Sequence, residues 1–218
     1  MKVENIKFRI KRRKQDMHKG KLISAAVAAG LIFAILCSFI PFEAGCEEVK
    51  SSVLRLHVLA NSDSAEDQAL KLRVRDSVLA AGAEIFGNAG SLAEAEALAR
   101  ENIWVLYAAA ERTLREEGSS YPVSVKLTRT GFDTRKYDAV TLPAGEYDAV
   151  QVVIGEGRGK NWWCVMFPPL CLPAAGAEDL SDAVSEEGAR ITSHSERYVM
   201  KFKVVELYET LKQRLFSD

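Results

Sequence analysis

Two groups of acidic side chains have the spacing that could support catalysis. The first is Asp63, Glu66 and Asp67, and the second is Glu186 with Glu187. A pair of carboxylates can hydrolyse a glycosidic bond, one as general acid and the other as base or nucleophile. Acidic pairs are also common at helix N-termini and in solvated loops, so we expect these side chains to cap helices or face solvent.

The histidines and serines form no catalytic signature. His18, His57 and His194 lie far apart, and none has a second histidine four residues on, so the H-E-x-x-H zinc motif is absent. No Gly-x-Ser-x-Gly sequence precedes a predicted helix. We therefore predict a protein that is not an enzyme and that has no metal site and no cofactor.

A glycine-rich loop, Gly155-Glu156-Gly157-Arg158-Gly159, separates two apolar segments. Its spacing is not G-x-G-x-x-G, and a strand-like segment follows it, which disfavours a phosphate cradle at a helix N-terminus. We interpret it as a hairpin turn with residues at positive φ. Trp162 and Trp163 follow, and because adjacent strand residues face opposite ways, we expect one to pack inward and the other to face outward.

The charges divide the chain into a basic head and an acidic body. Residues 1–21 carry nine Lys/Arg and two acidic residues, whereas the remainder carries 20 Lys/Arg and 28 Asp/Glu. An acidic body argues against a nucleic-acid partner, because binding there depends on cations that neutralise phosphates. Residues 22–42 carry no charge, and a helix of that length can cross a hydrocarbon core about 30 Å thick. The basic flank predicts a cytoplasmic head, 1–21, and an extracytoplasmic body, 43–218.

The apolar segment 22–42 is either a transmembrane anchor or an export signal. Signal peptides usually have a shorter apolar core, of about 7–15 residues. Cleavage after Ala44-Gly45 is one alternative, and lipidation of Cys46 is another, although Glu43 stands where a lipidation site favours an apolar residue.

Cys164 and Cys171 are separated by six residues that include Pro168-Pro169. Outside the cytoplasm these two thiols can oxidise to a disulfide that closes a small loop. The alternative is a pair of buried thiols.

Hydrophobic periodicity predicts one α+β domain within residues 43–218. It has a small, mainly antiparallel sheet packed by two or three helices and follows the N-terminal membrane or signal helix. Asp63 with Glu66, and Ser91 with Glu94, predict helix N-termini. The predicted strands are 53–59, 123–128, 147–154 and 162–167; the predicted helices run from about 63 to 86, from 91 to 114 and from 199 to 215, with a loop at 174–188. Residues 152–154 are too apolar for an edge strand.

Two long blocks of this sequence resemble the stage II sporulation protein R family. The first comprises LRLHVLANSDS at 54–64, EDQALKL at 66–72 and VRD at 74–76. The second comprises LPAGEY at 142–147, VIGEG at 153–157 and NWWCVMFPPLC at 161–171, and the similarity resumes near 202–211. Ala65 departs from the proline expected there, and residues 172–195 have no counterpart in the resemblance.

The resemblance implies a signalling protein of endospore formation. Members are made in the forespore and exported into the septal intermembrane space. There they activate a membrane-embedded aspartic protease of the mother cell, of the stage II sporulation GA type, which cleaves pro-sigma-E. Eight residues are expected to contact the partner because of their polarity and expected exposure: Arg55, Asn61, Asp63, Asp67, Glu156, Arg158, Asn161 and Trp162.

Two other functions stay open from the sequence. One is a secreted cell-wall hydrolase with its active carboxylates among Asp63, Glu66, Asp67 and Glu156, which turnover on purified peptidoglycan would reveal. The other is a structural septal protein that binds a partner without changing its activity.

Overall fold

The computed structural model describes residues 21–137, 140–168 and 180–216. Its contacts divide the chain between Glu43 and Ala44 into a small N-terminal unit and a larger unit. Helix α1 (residues 21–37) and helix α2 (Phe39–Lys50) are separated by a turn at Ser38. Together they form a helical stretch, Lys21–Lys50, whose apolar window is long enough to cross a membrane and is not buried. This helix has the properties of a membrane anchor or an export signal.

The larger unit groups its helices and strands in blocks along the chain. After α2 its elements are β1 (Leu54–Leu59), α3 (Ala65–Phe86), α4 (Leu92–Glu101), α5 (Ile103–Glu116), β2 (Val123–Phe132), β3 (Arg135–Tyr137), β4 (Val140–Leu142), β5 (Gly145–Ile154), β6 (Asn161–Phe167), α6 (Leu180–Ala183), α7 (Glu186–Ser193) and α8 (Val199–Phe216), with a 3₁₀ turn at Ser195–Arg197 before α8.

The main sheet has four strands in the order β2-β5-β1-β6, and β3 pairs with β4 in a separate ribbon. Strand β1 is parallel to β5, whereas the β2–β5, β1–β6 and β3–β4 pairs are antiparallel. The prediction of an α+β fold with a small, mainly antiparallel sheet is confirmed. The apolar end of β5 lies in the sheet interior, as its composition indicated.

The predicted hairpin between β5 and β6 is wrong, because β1 lies between these two strands. Arg55 of β1 is paired with Ala149 on one side and with Val165 on the other. Strand β1 is buried along nearly its whole length, and such a strand gains most from neighbours on both edges. The segment Gly155–Lys160 therefore crosses over the end of β1; we call it the crossover loop.

Each face of the main sheet has its own hydrophobic cluster. Leu56, Val58 and Val152 belong to the cluster that α3, α4 and α5 cover. Tyr147 and Ala149 belong to the cluster on the other face, to which α2 and α6 contribute. Side chains alternate along a strand, so this arrangement places Arg55 and His57 on the second face.

Two helix boundaries differ from prediction. The N-cap of α3 is Ser64 rather than Asp63, and its hydroxyl accepts a hydrogen bond from the Asp67 N–H. The predicted helix from residue 91 to 114 breaks at Asn102, whose side-chain amide donates to the Leu98 carbonyl at 2.9 Å. The apolar stripe continues across this break because α4 and α5 pack on the same cluster. The cap at Ser91 is confirmed, since its hydroxyl accepts from the Glu94 N–H.

The predicted loop at 174–188 is wrong in part. Residues 180–183 form α6, and α7 begins at Glu186 behind the N-cap Ser185. Glu186 and Glu187 occupy the first turn of α7, where carboxylates interact favourably with the helix dipole. Residues 174–179 lie outside the described residues. The closing helix α8 is confirmed.

Candidate functional site

The candidate site lies where the chain leaves β1 and the crossover loop passes over it. Asn61 Oδ1 accepts a hydrogen bond from the Glu156 N–H at 3.0 Å, and Asp63 Oδ1 accepts one from the Lys160 N–H at 2.7 Å. Two backbone bonds add to these, with the Arg158 N–H donating to the Asn61 carbonyl and the Gly159 N–H to that of Ala60. Predicted contact residues from the two sequence blocks are thus brought together.

Glycine is required in the crossover loop because its backbone lies against the turn after β1. Gly155 has φ of +59°, and a Cβ atom there would lie 2.2 Å from Asn61 Oδ1. At Gly159 a Cβ atom would lie 2.2 Å from the Ser62 carbonyl oxygen. The prediction of positive φ in this loop is confirmed at Gly155 and Gly157. No other residue type lets the backbone approach so closely.

Asp67 is a buried acceptor that holds the turn. Its Oδ2 accepts from Asn61 Nδ2 at 2.9 Å and from Ser62 Oγ at 2.6 Å. Hydrogen bonds from Ser62 and then Asn61 lower the pKa of Asp67 below its ordinary value. A general acid needs a raised pKa, so this carboxylate is tuned in the opposite direction to the acid of a glycan hydrolase. The Asp63 carboxylate accepts a hydrogen bond from a backbone N–H, that of Lys160. Glu66 is exposed on α3.

Four of the predicted contact residues are exposed beside this turn. Glu156 and Arg158 form a surface ion pair at 3.1 Å, and Asn161 opens β6. Trp162 is 36% exposed, and the Arg75 guanidinium lies 4.3 Å from the centroid of its indole. The site therefore presents an aromatic ring and both signs of charge on a fixed backbone.

The expectation that Arg55 is exposed is wrong: its exposed fraction is 0%. Its guanidinium carbon lies 4.0 Å from the Phe132 ring centroid and 4.8 Å from that of Tyr147. Nη2 donates to the Tyr137 hydroxyl, and Nε donates to the Cys164 carbonyl at 3.2 Å. Burial lowers the pKa of Arg55. Aromatic faces stabilise the desolvated cation, so Arg55 has a structural role. Asp67 was also expected to be exposed, but it is buried and likewise has a structural role.

His57 lies on the same face as Arg55 and stacks on Trp163, with ring centroids 3.9 Å apart. Gln151 Nε2 donates to His57 Nδ1 at 3.2 Å, and His57 Nε2 donates to Asn161 Oδ1 at 3.1 Å. Burial lowers the pKa of His57, which suits the neutral imidazole that this hydrogen-bonding pattern needs. Of the two tryptophans, Trp163 is thus the one that packs inward.

Sequence reasoning missed the residues that surround Arg55 and His57. They are Phe132, Tyr137, Tyr147 and Gln151. The available signal was the alternation in residues 54–59, which places Arg55 and His57 on one face of a buried strand. A cation on such a face needs aromatic or polar neighbours.

Cys164 is disulfide-bonded, whereas Cys37 is exposed and Cys46 is buried. Its predicted partner, Cys171, lies outside the described residues, so the Cys164–Cys171 pairing stays a prediction. Within residues 21–137, 140–168 and 180–216, no three His, Cys, Asp or Glu side chains converge as metal ligands would.

These features define an α+β domain that follows an apolar N-terminal helix and carries a clamped, polar loop surface. Residues 50–176 match the family model of stage II sporulation protein R, and the chain belongs to that family. The stage II sporulation protein R of Bacillus subtilis (strain 168) is 36% identical over 143 residues, which are 65% of this chain and 64% of that protein. The match thus spans slightly less than two thirds of this relative. No solved structure matches the chain.

The family assignment confirms the resemblance drawn from the two sequence blocks. It also supports a role in sporulation, since stage II of sporulation is part of the family's description. Together with the apolar helix, the family assignment indicates a sporulation protein that carries a membrane anchor or an export signal.

Proposed function

We propose that this protein is an exported forespore signal that activates a membrane-embedded aspartic protease of the mother cell. The protease, of the stage II sporulation GA type, then cleaves pro-sigma-E. Family membership and the apolar helix before the domain support this proposal. In it, the domain lies in the septal intermembrane space, either anchored through residues 22–42 or released from them.

The observation that carries the proposal is the clamping of the crossover loop onto the turn after β1. Asn61 and Asp63 each hold one backbone N–H of that loop. A surface that is already ordered loses less conformational entropy on binding than a flexible one. Tryptophan and arginine are also the side chains most enriched among binding hot spots.

Within this surface we assign two kinds of role. Glu156, Arg158, Asn161 and Trp162 are contact residues, because all four are exposed. Asn61, Asp63 and Asp67 are positioning residues, because their polar atoms hold the loop and the turn. Such a ligand activates a protease only if it binds the active state more tightly than the inactive state.

The test is pro-sigma-E processing in a non-sporulating host that makes the protease and its substrate, with or without the full chain. We expect Trp162→Ala and Glu156→Ala to abolish processing while the exported protein stays folded. The matched controls are Trp104→Ala, at a tryptophan that is 66% exposed on α5, and Glu116→Ala, at an exposed glutamate of the same helix. Equal loss in the controls, or full processing by the Trp162 and Glu156 variants, would refute the proposed surface.

A second arm fuses residues 43–218 to a standard signal peptide. Processing that persists would show that residues 22–42 serve for export alone. Processing that requires the native N-terminus would show that the segment is an anchor with a function of its own. No processing with either form, despite a competent protease, contradicts the proposed activity, and turnover on peptidoglycan would then be measured for the hydrolase alternative.

A further inference from the structure

The closing helix α8 presents an apolar face to its surroundings. Its inner side packs through Phe202 and Val205, which are buried. Met200 is 77% exposed and Leu207 is 61% exposed, although both are large apolar residues. The exposed apolar residues of this helix, apart from Val199 at its start, are Met200, Val204, Leu207, Tyr208, Leu211 and Leu215. Exposed apolar residues in a contiguous set mark an interaction surface.

These six side chains form one stripe along the helix. With 3.6 residues per turn, they fall within an arc about 100° wide, on the side opposite Phe202 and Val205. We call this arc the α8 stripe. Its width equals that of the apolar face with which an amphipathic helix contacts a nonpolar phase. Helix α8 thus has two apolar sides, and the described residues of its domain cover only the side of Phe202 and Val205.

Basic residues border the α8 stripe on both edges. By the same helical geometry, Lys201 and Lys212 lie along one edge, and Lys203 and Arg214 lie along the other. The two acidic residues of the helix fall on the half that faces away from the stripe. Glu206 pairs with Lys203 at 2.9 Å and Glu209 with Lys212 at 3.8 Å, and such pairs between neighbouring turns at a helix surface contribute little stability that an anionic headgroup would have to replace. Long basic side chains beside an apolar face can place their charges at lipid headgroups while their methylenes stay in the apolar layer.

The charge of this helix is opposite to that of its domain. Helix α8 carries four basic and two acidic residues, whereas the residues after the apolar segment together carry 20 basic and 28 acidic ones. We propose that α8 docks on an anionic membrane surface, with the stripe at the headgroup–acyl boundary and the four basic residues at the headgroups. This proposal rests on α8 alone and does not depend on the protease as partner.

A second copy of the chain fits the stripe less well. Two such helices packed along their stripes would place basic residues at the flanks of both, and like charges at those positions repel. An anionic bilayer neutralises the same residues. The charge pattern therefore favours lipid over self-association.

The test uses the full chain reconstituted in vesicles, with a photoreactive p-benzoylphenylalanine replacing Leu211. Two vesicle compositions are compared, phosphatidylcholine alone and a mixture with phosphatidylglycerol. We expect lipid adducts at position 211 in the anionic vesicles and their loss in pure phosphatidylcholine. The same photoreactive residue in place of Ser124, exposed on β2, gives the background.

Two variants, each lacking four cations, distinguish the effect of the cations beside the stripe from the effect of the protein's net charge. The first is Lys201→Gln, Lys203→Gln, Lys212→Gln and Arg214→Gln, and we expect it to lose the lipid adducts. The second removes four exposed cations elsewhere, through Arg112→Gln, Arg115→Gln, Lys126→Gln and Arg129→Gln, and should keep them. Protease resistance of both variants checks that they are folded.

Three results would overturn the proposal. The first is the absence of lipid adducts at position 211 in anionic vesicles. The second is adducts between two copies of the chain in their place, which would identify self-association. The third is equal lipid labelling in both vesicle types or with both charge variants, which would remove the electrostatic basis.

Discussion

Asn61 and Glu156 are joined by a 3.0 Å hydrogen bond from the Glu156 N–H to the Asn61 side-chain oxygen. The nitrogen of the same amide donates to Asp67 at 2.9 Å. One side chain thus connects the crossover loop to the first turn of α3. A side-chain amide provides both a donor and an acceptor, whereas a carboxylate only accepts and an ammonium group only donates.

We expect Asn61→Ala to destabilise the domain by about 1–3 kcal/mol, because it leaves polar groups of both segments without their partner. Hydrogen exchange in residues 155–160 should become faster than in the rest of the sheet. Denaturant unfolding and exchange mass spectrometry measure the two effects. Asn88→Ala, at an exposed position after α3, is the control and should change stability by less than about 0.5 kcal/mol. Unchanged exchange in the loop would contradict the clamping role.

A comparison of Gly155 with Gly118 distinguishes two energetic costs of an added Cβ atom. One is its clash with Asn61, and the other is the strain of a positive φ. Both have positive φ, +59° and +69°, but a Cβ at Gly118 meets nothing within 4 Å. Each alanine variant should lose about 1–2 kcal/mol for the left-handed conformation. Gly155→Ala should lose more than Gly118→Ala, because Asn61 must move as well. Equal unfolding free energies for the two variants would show that the crossover loop adapts without cost.

The lowered pKa of Asp67 makes part of the stability depend on pH. Its carboxylate binds a proton less readily in the folded than in the unfolded chain. Its contribution is therefore fully present above the ordinary aspartate pKa, and it is lost as pH falls through the lowered folded value. The unfolding free energies of the wild type and Asp67→Asn should converge as pH is lowered from 7 in a denaturant titration series. Glu116→Gln is the exposed control, and a constant gap for Asp67→Asn would contradict the assignment.

Arg55 and Tyr137 should be energetically coupled. Tyr137→Phe removes the hydroxyl to which Arg55 Nη2 donates, and an unsatisfied buried donor costs about 1–3 kcal/mol. In an Arg55→Met background the same change should cost less, because methionine needs no acceptor. A double-mutant cycle measured by chemical unfolding gives the coupling. Additive effects would mean that the guanidinium does not depend on this hydroxyl.

The sequence predicted best those helices and strands whose hydrophobic pattern lies within the element itself. Helices α3 and α8 follow from their apolar spacing, and β2 follows from its alternation. The break at Asn102 was missed because the apolar stripe runs through it. The neighbours of β1 were missed because strand pairing depends on the whole domain and not on residues 54–59.

For the candidate site, the sequence supplied the residues but not their packing. The two blocks contained the polar residues of the turn and the crossover loop, and the structure brings them together. The exposure of Arg55 was predicted wrongly. A charged side chain is expected at the surface unless residues distant in sequence surround it with suitable partners. Here Phe132, Tyr137 and Tyr147 do so, and all three lie far along the chain from β1.

The central position of β1 in the sheet also affects how early in folding the sheet can assemble. Strand β1 comes first along the chain, yet both of its neighbours, β5 and β6, come from the second half. Contacts so distant in sequence form late, because a long loop must close before they are made. In the proposed export, β1 crosses the membrane before its neighbours, and the loop surface cannot assemble until residues up to about 167 have crossed as well. Under that proposal, the strand order makes the contact surface available only once the whole main sheet has been exported.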